Sequence, residues 1–195
     1  MSDPEQPEQA IETQDAPRPR IWVAPLAEPP RGRWLEAARD PDELQDDITW
    51  MLLGSADPRN EEWSIGDYEG FGPLRLSSRE DLAAVSRLAR GILTHGPAFA
   101  TWAALAGTER AQSDEFTDAY LGEWDSVTAY AEQLADDLGY TALLDAALPP
   151  HLKPYVCFDA AAYGRDLVRE GALAALPTPT GRVWLFSLTL GARGP

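Results

Sequence analysis

The sequence predicts an α+β fold, with strands near both ends and helices between them. Three observations carry that expectation. Short apolar runs at Ile21–Leu26 and Val183–Leu188 have strand character. Between them, capping residues repeatedly precede apolar residues at helical spacing. Seven tryptophans run from Trp22 to Trp184, and each can bury a large area, so packed structure is expected along most of the chain. The hydrophobic fraction of 44% is ample for a core.

Residues 1–19 are rich in Pro, Glu, Gln and Asp, with Ile11 as their only large apolar side chain, and are expected to form a disordered acidic tail. Ile21, Trp22, Val23 and Leu26 read as a strand ended by Pro29-Pro30, with Gly32 to Ala37 as its hairpin partner. Asp40-Pro41-Asp42-Glu43 is a helix start: Asp40 caps, Pro41 suits the first helical position and Glu43 stands where a capping box needs it. Leu44, Ile48, Met51 and Leu52 then share a face, with Asp42, Asp46 and Asp47 off it. Trp63-Ser64-Ile65 reads as a short strand before a turn-rich stretch from Gly66 to Pro73.

Ser78 to Asp81 has a second capping-box pattern, followed by Leu82, Val85, Leu88, Ala89 and Ile92 at helical spacing. Gly96-Pro97 breaks that helix, and another is expected around Phe99 to Leu105, ended by Gly107. Ser113 to Leu121 reads as a short helix. Ser126 caps the next, whose inner face is Val127, Tyr130, Ala131, Leu134 and Leu138, with Gly139 as the stop. Asp159 caps a helix over Ala160 to Glu170, and Val183 to Leu188 is a terminal strand in which Val183, Leu185 and Ser187 alternate with Trp184, Phe186 and Leu188. There is no internal repeat.

Charge is the strongest feature. The chain carries a formal net charge of −16. From Ala111 to Leu152 there is no Lys or Arg, and the window holds nine carboxylates. A second block, Asp40 to Glu69, has Arg59 as its only base. Both blocks contain aromatic and aliphatic residues at folding spacings. In the helix after Ser126, Glu132 and Asp136 repel at i,i+4, and Asp137 sits near the negative end of the helix dipole. One such pair is an ordinary solvated face. Its repetition over two blocks with almost no compensating base points to a surface that repels nucleic acid and attracts proteins that hold it.

Enzyme chemistry is poorly represented, and no cofactor or metal site is expected. His95 and His151 stand at element boundaries without metal-ligand spacing. Gly66-Asp67-Tyr68-Glu69-Gly70-Phe71-Gly72 lacks the Gly-Lys-Ser/Thr ending of a phosphate loop and reads as a turn. Cys157, the single cysteine, has no neighbouring His and is expected to be a small buried residue. Paired carboxylates suit a hydrolase, but among 32 acidic residues some pairs arise by chance. Direct nucleic-acid binding needs a basic patch that the acidic blocks forbid. No transmembrane run or signal-peptide pattern is present, so the expected compartment is the cytoplasm.

Three stretches together resemble the ArdA-type antirestriction family. Glu62-Trp63-Ser64-Ile65-Gly66-Asp67-Tyr68-Glu69-Gly70-Phe71 is similar to its "hDYEgF" segment. Phe116-x-x-x-Tyr120-x-Gly122-x-Trp124-x-Ser126-x-x-x-Tyr130-Ala131 resembles its central acidic motif, and Tyr155-x-x-Phe158-Asp159-x-x-x-Tyr163-Gly164-Arg165-Asp166-Leu167 its C-terminal "idYeayaRDl" segment. Ile21-Trp22-Val23-Ala24 and Gly32-Arg33-Trp34 fit the family's first hairpin. Each motif alone is weak; their order and spacing over residues 20–188 are specific. The tail of residues 1–19, Phe158 in place of a more usual Tyr, and the loop Pro177-Thr178-Pro179-Thr180 depart from the pattern.

The resemblance implies a non-enzymatic inhibitor of type I restriction-modification enzymes, carried mainly by mobile elements and protecting incoming DNA. It implies three small domains in a row, placed here at 20–76 (sheet plus helix), 77–122 (helical) and 123–190 (α/β), paired as a long curved homodimer. Surface carboxylates would imitate the phosphates of bent duplex DNA and occupy the groove of the methyltransferase–specificity core. The residues expected on that surface are Asp114, Glu115, Asp118, Glu123, Asp125, Glu132, Asp136 and Asp137, extended by Asp42, Asp46, Asp47, Glu61 and Glu62. An acidic chaperone or adaptor for another basic protein shares the same field and is the alternative.

Beyond Arg20 the chain carries −13, so a dimer carries −26. At one charge per ~1.7 Å of duplex axis, that equals about 13 base pairs. A longer dimer is less dense in charge than DNA and must compete through shape and rigid placement.

Overall fold

The computed structural model describes residues 18–54 and 62–188. It is α+β, with two three-stranded antiparallel sheets and seven α-helices among the described residues. The chain divides into two compact units on either side of Ala104/Leu105.

In the first unit, β1 (Arg20–Pro25) is the central strand, between β2 (Arg33–Glu36) and β3 (Trp63–Glu69). Ile21 lies opposite Leu35 and Tyr68, and a register shift between Trp22 and Val23 marks a bulge against β3. Trp22 packs edge-on against Trp34, with Arg20 over the Trp34 ring. A Cβ on Gly32 would meet the Trp22 ring and the Val23 carbonyl at 2.6–2.7 Å, so the hairpin needs glycine there. Helix α1 (Pro41–Leu53) follows, capped by Asp40, whose side chain accepts from the Asp42 amide at 3.0 Å. Glu43 does not close the expected capping box: Arg39 takes its carboxylate at 3.2 Å. Leu44 and Ile48 are fully buried, while Met51 and Leu52 are only half-buried.

Helices α2 (Leu82–His95) and α3 (Pro97–Ala106) complete this unit's core with Leu82, Val85, Leu88, Phe99 and Trp102. The Ser86 hydroxyl donates to the Arg39 carbonyl, tying α2 to the segment before α1. Gly91 faces Phe99 so closely that a Cβ would lie 2.3 Å from its ring.

In the second unit, α4 (Ser113–Ala119) leads into β4 (Tyr120–Trp124), then α5 (Val127–Asp137), α6 (Tyr140–Ala147), α7 (Ala160–Arg169), β5 (Leu173–Pro177) and β6 (Val183–Ser187). The sheet order is β4-β6-β5. Phe186 of the central strand packs at a tilt against the rings of Phe116 and Tyr120, and α5 packs on α7 where Gly164 lies against Val127 and Ala131. Ser126 and Asp159 cap α5 and α7 by accepting from amides three residues on, as expected. Gly139, with φ 72°, ends α5 and begins α6.

Several expectations are corrected. Pro19, assigned to the tail, is fully buried, and its carbonyl accepts from the Ala37 amide at 2.9 Å. The Gly66–Glu69 part of the expected turn belongs to β3, because Gly66 leaves room for the Trp22 ring beside it. Helix α2 is capped by Asp81 rather than Ser78; Ser77 to Glu80 forms a separate turn in which Glu80 accepts from the Ser77 amide.

Tyr120 and Leu121, expected to end a helix, begin strand β4, so strands are not confined to the termini, and β4 runs across the expected boundary at 122/123. Helix α6 and strand β5 were not anticipated. In β6 the expected alternation is absent, since Trp184, Leu185 and Phe186 are all buried in a central strand covered on both faces. Leu138, placed on the inner face of α5, is 46% exposed, Cys157 is exposed, and Trp50 is 72% exposed. The expectations for residues 1–17 and for Glu61 lie outside the described residues.

Candidate protein-binding surface

The two acidic blocks fold onto helices and a strand edge, and the fold sorts their carboxylates into two kinds. On α1, Asp42 and Asp46 are exposed with no ion pair among the described residues. Asp42 also lies in the first turn, where the helix dipole favours a negative charge. Asp47 lies to the side, 2.6 Å from Arg39. That hydrogen bond is the main reason the Arg39 guanidinium holds its proton even more firmly than usual. Glu62 pairs with Arg79 at 3.3 Å.

In the second unit, α4 places Asp114, Glu115 and Asp118 within two turns. Asp114 and Asp118 are exposed. Glu115 turns one carboxylate oxygen inward, where it has no hydrogen-bond partner, 3.9 Å from Arg110. Glu123 on β4 and Asp125 just after it share one base: Arg182 reaches them at 3.6 and 3.0 Å. On α5, Glu132, Asp136 and Asp137 are exposed and carry no ion pair among the described residues. Asp136 accepts from the Thr141 hydroxyl at 2.7 Å and Asp137 from the Gln133 amide at 2.8 Å. Those neutral donors hold the carboxylates in place without cancelling their charge. Asp145, the ninth carboxylate of the base-free window, pairs with Lys153 at 2.7 Å.

The bare set is therefore Asp42 and Asp46 in the first unit, and Asp114, Glu132, Asp136 and Asp137 in the second. The bases that quench the others come from outside the acidic windows in sequence, at Arg39, Arg79, Arg110, Lys153 and Arg182. The pairs of Glu62 with Arg79 and of Asp145 with Lys153 are solvent-exposed, so each is worth little, whereas the Arg39–Asp47 bond is part-buried.

Glu132 and Asp136 border an open cleft of about 600 Å³ between α5 and the start of α7. Asp159 also lines it, though its carboxylate is engaged in capping α7. The sequence marks Asp159 only as the cap of α7. Cys157 stands at the same cleft without a histidine beside it. Among the described residues no group of three or more His, Cys, Asp or Glu is placed to hold a metal ion, and no helix is long and apolar enough to cross a membrane. The tyrosines around these carboxylates, Tyr120, Tyr130 and Tyr163, have pKa values raised chiefly by burial and stay neutral.

Each unit is a folded α+β body that carries exposed carboxylates without an ion pair among the described residues, and so a negative surface. The family follows from comparison: residues 22–179 match the model of the family described as antirestriction protein (ArdA), and the chain belongs to that family. Its function is accordingly antirestriction, acting on restriction enzymes. Comparison with curated proteins gave no match.

Proposed function

We propose that this protein protects DNA by imitating it, with its bare carboxylates occupying the DNA groove of the methyltransferase–specificity core of type I restriction-modification enzymes. The observation that supports this best is the set of exposed, unpaired carboxylates on α5 of the second unit, with a separate pair on α1 of the first. Glu132 and Asp136 are one turn apart, about 6 Å along the helix axis, against about 3.4 Å per phosphate along one DNA strand. The array is sparser than DNA, so rigid placement does what density cannot. Phosphate contacts carry no sequence code, so one such surface serves against enzymes with different recognition sequences.

The proposal includes the three-part organisation and the homodimer that the family resemblance implies. A face for pairing is available on the second unit: α6 buries none of its own residues, and Leu143 and Tyr155 are 67% and 84% exposed.

The test is displacement of labelled cognate duplex from a purified type I methyltransferase core at two salt concentrations. Stoichiometric displacement that weakens with salt is expected. A folded protein that displaces nothing, yet retains a nucleoid protein in a pull-down, would make the adaptor reading the better one. Within the mimic reading, neutralising one carboxylate changes inhibition little, whereas reversing four bare ones weakens it strongly. A single carboxylate whose loss abolished activity would indicate a hydrolase instead.

A further inference from the structure

Helix α1 exposes two side chains that folding alone leaves without a purpose. Trp50 is 72% and Leu53 71% exposed. An indole is among the largest apolar surfaces a chain can bury, and this one faces water on a helix whose other side packs against the core. Successive helical residues turn by about 100°, so Asp42, Asp46, Trp50 and Leu53 form one stripe opposite Leu44 and Ile48. The stripe is also where the charge is bare. Asp42 and Asp46 carry no ion pair among the described residues, while Glu43 and Asp47, to one side, are both held by Arg39.

An imitation of phosphates needs no indole. A carboxylate one turn from an exposed indole suits an arginine: the planar guanidinium stacks on the ring while its N–H groups donate to the carboxylate. A lysine ammonium has no such plane to offer.

We propose that the Asp42–Asp46–Trp50–Leu53 stripe is a docking face for an arginine-bearing surface of the target enzyme, with Trp50 as its apolar anchor. This rests on the mimic reading and adds a division of labour to it. The carboxylates supply attraction that salt weakens, and Trp50 supplies a share of affinity that salt does not weaken. Charge complementarity assigns the face to a basic partner over a second copy of this chain, which would bring further carboxylates against Asp42 and Asp46.

The experiment titrates wild type, W50F, W50A, L53A and D46N against a type I methyltransferase core holding labelled DNA, across a salt series. Sedimentation and thermal melting of each variant are measured in parallel. W50A should raise the concentration for half-displacement about tenfold without changing the salt slope, with W50F intermediate. D46N should shift the midpoint little and flatten the slope. Because Trp50 is exposed, the melting temperature of W50A should match wild type. Displacement by W50A equal to wild type overturns the inference and leaves the mimic reading standing. Loss of self-association in W50A, with displacement unchanged, overturns it in favour of a second copy on this face. Failure of wild type itself to displace DNA removes the mimic reading, and this inference with it.

Discussion

Arg182 shows how one side chain changes the meaning of an acidic run. It lies far along the chain from Glu123 and Asp125, yet it contacts both carboxylates and also donates to the Glu123 carbonyl at 3.3 Å. A segment that is doubly negative in sequence is singly negative in the fold. The pairs are exposed, so their net worth is about 0–1 kcal/mol each. R182Q is expected to lower the melting temperature by no more than a few degrees and to leave displacement of DNA from the methyltransferase core equal or stronger at low salt. Weaker displacement by a variant that melts like wild type would mean that Arg182 itself touches the target. Trp50 makes the complementary point: composition marks it for burial, and only its place on the outer stripe of α1 shows that it is not buried.

At the scale of elements, legibility follows the range of the interaction. Asp40, Ser126 and Asp159 were readable as caps because each side chain bonds an amide two or three residues on. The cap of α2 falls three residues later than expected because Ser78 and Asp81 are both good capping residues: Ser78 lies inside the turn over Ser77–Glu80, and Asp81 accepts from the Ala84 amide. Strand β4 was unreadable for a different reason. It is five residues long, is interrupted by Gly122 with φ 105°, and is a strand because β6 pairs with it from some 60 residues away.

The crossing of α2 and α3 yields a prediction at this scale. Gly→Ala in an exposed helix usually stabilises by roughly 0.5–1 kcal/mol. At Gly91 the sign should reverse, because three ring atoms of the fully buried Phe99 lie 2.3–2.8 Å from the new methyl. G91A is expected to cost about 1–3 kcal/mol, read as a lower midpoint in urea unfolding. A midpoint at or above that of wild type would mean that the two helices separate without penalty.

At the scale of the whole molecule, net charge and bare charge make different predictions. The quartet D46N/D114N/E132Q/D136N removes four unpaired carboxylates, and D47N/E62Q/E123Q/D125N removes four that are paired. Both change the net charge by the same amount. If binding rests on carboxylates that meet the target directly, the first quartet should weaken displacement of DNA roughly tenfold more than the second. Equal losses would assign inhibition to the overall field. Self-association tests the same physics with opposite sign. Two strongly negative chains repel, so dimerisation through the exposed apolar side chains of residues 138–156 should strengthen with salt, while binding to a basic target weakens. Sedimentation across a salt series reads the first, and L143D with Y155S should abolish it without lowering the melting temperature.

By itself the sequence determined the α+β class, most helix starts, the abundance of negative charge and the family resemblance, because these depend on composition, short-range spacing and ordered motifs. Which carboxylates remain bare was decided only by the tertiary structure. Arg182 and Lys153 fold back onto the long acidic window, and Arg39 and Arg79 onto the shorter one, so charge that is contiguous in sequence becomes a sorted pattern in space. The same holds for Trp50, Leu143 and Tyr155. Whether an apolar side chain is core or surface depends on what the rest of the chain places against it, and against these three the fold places little.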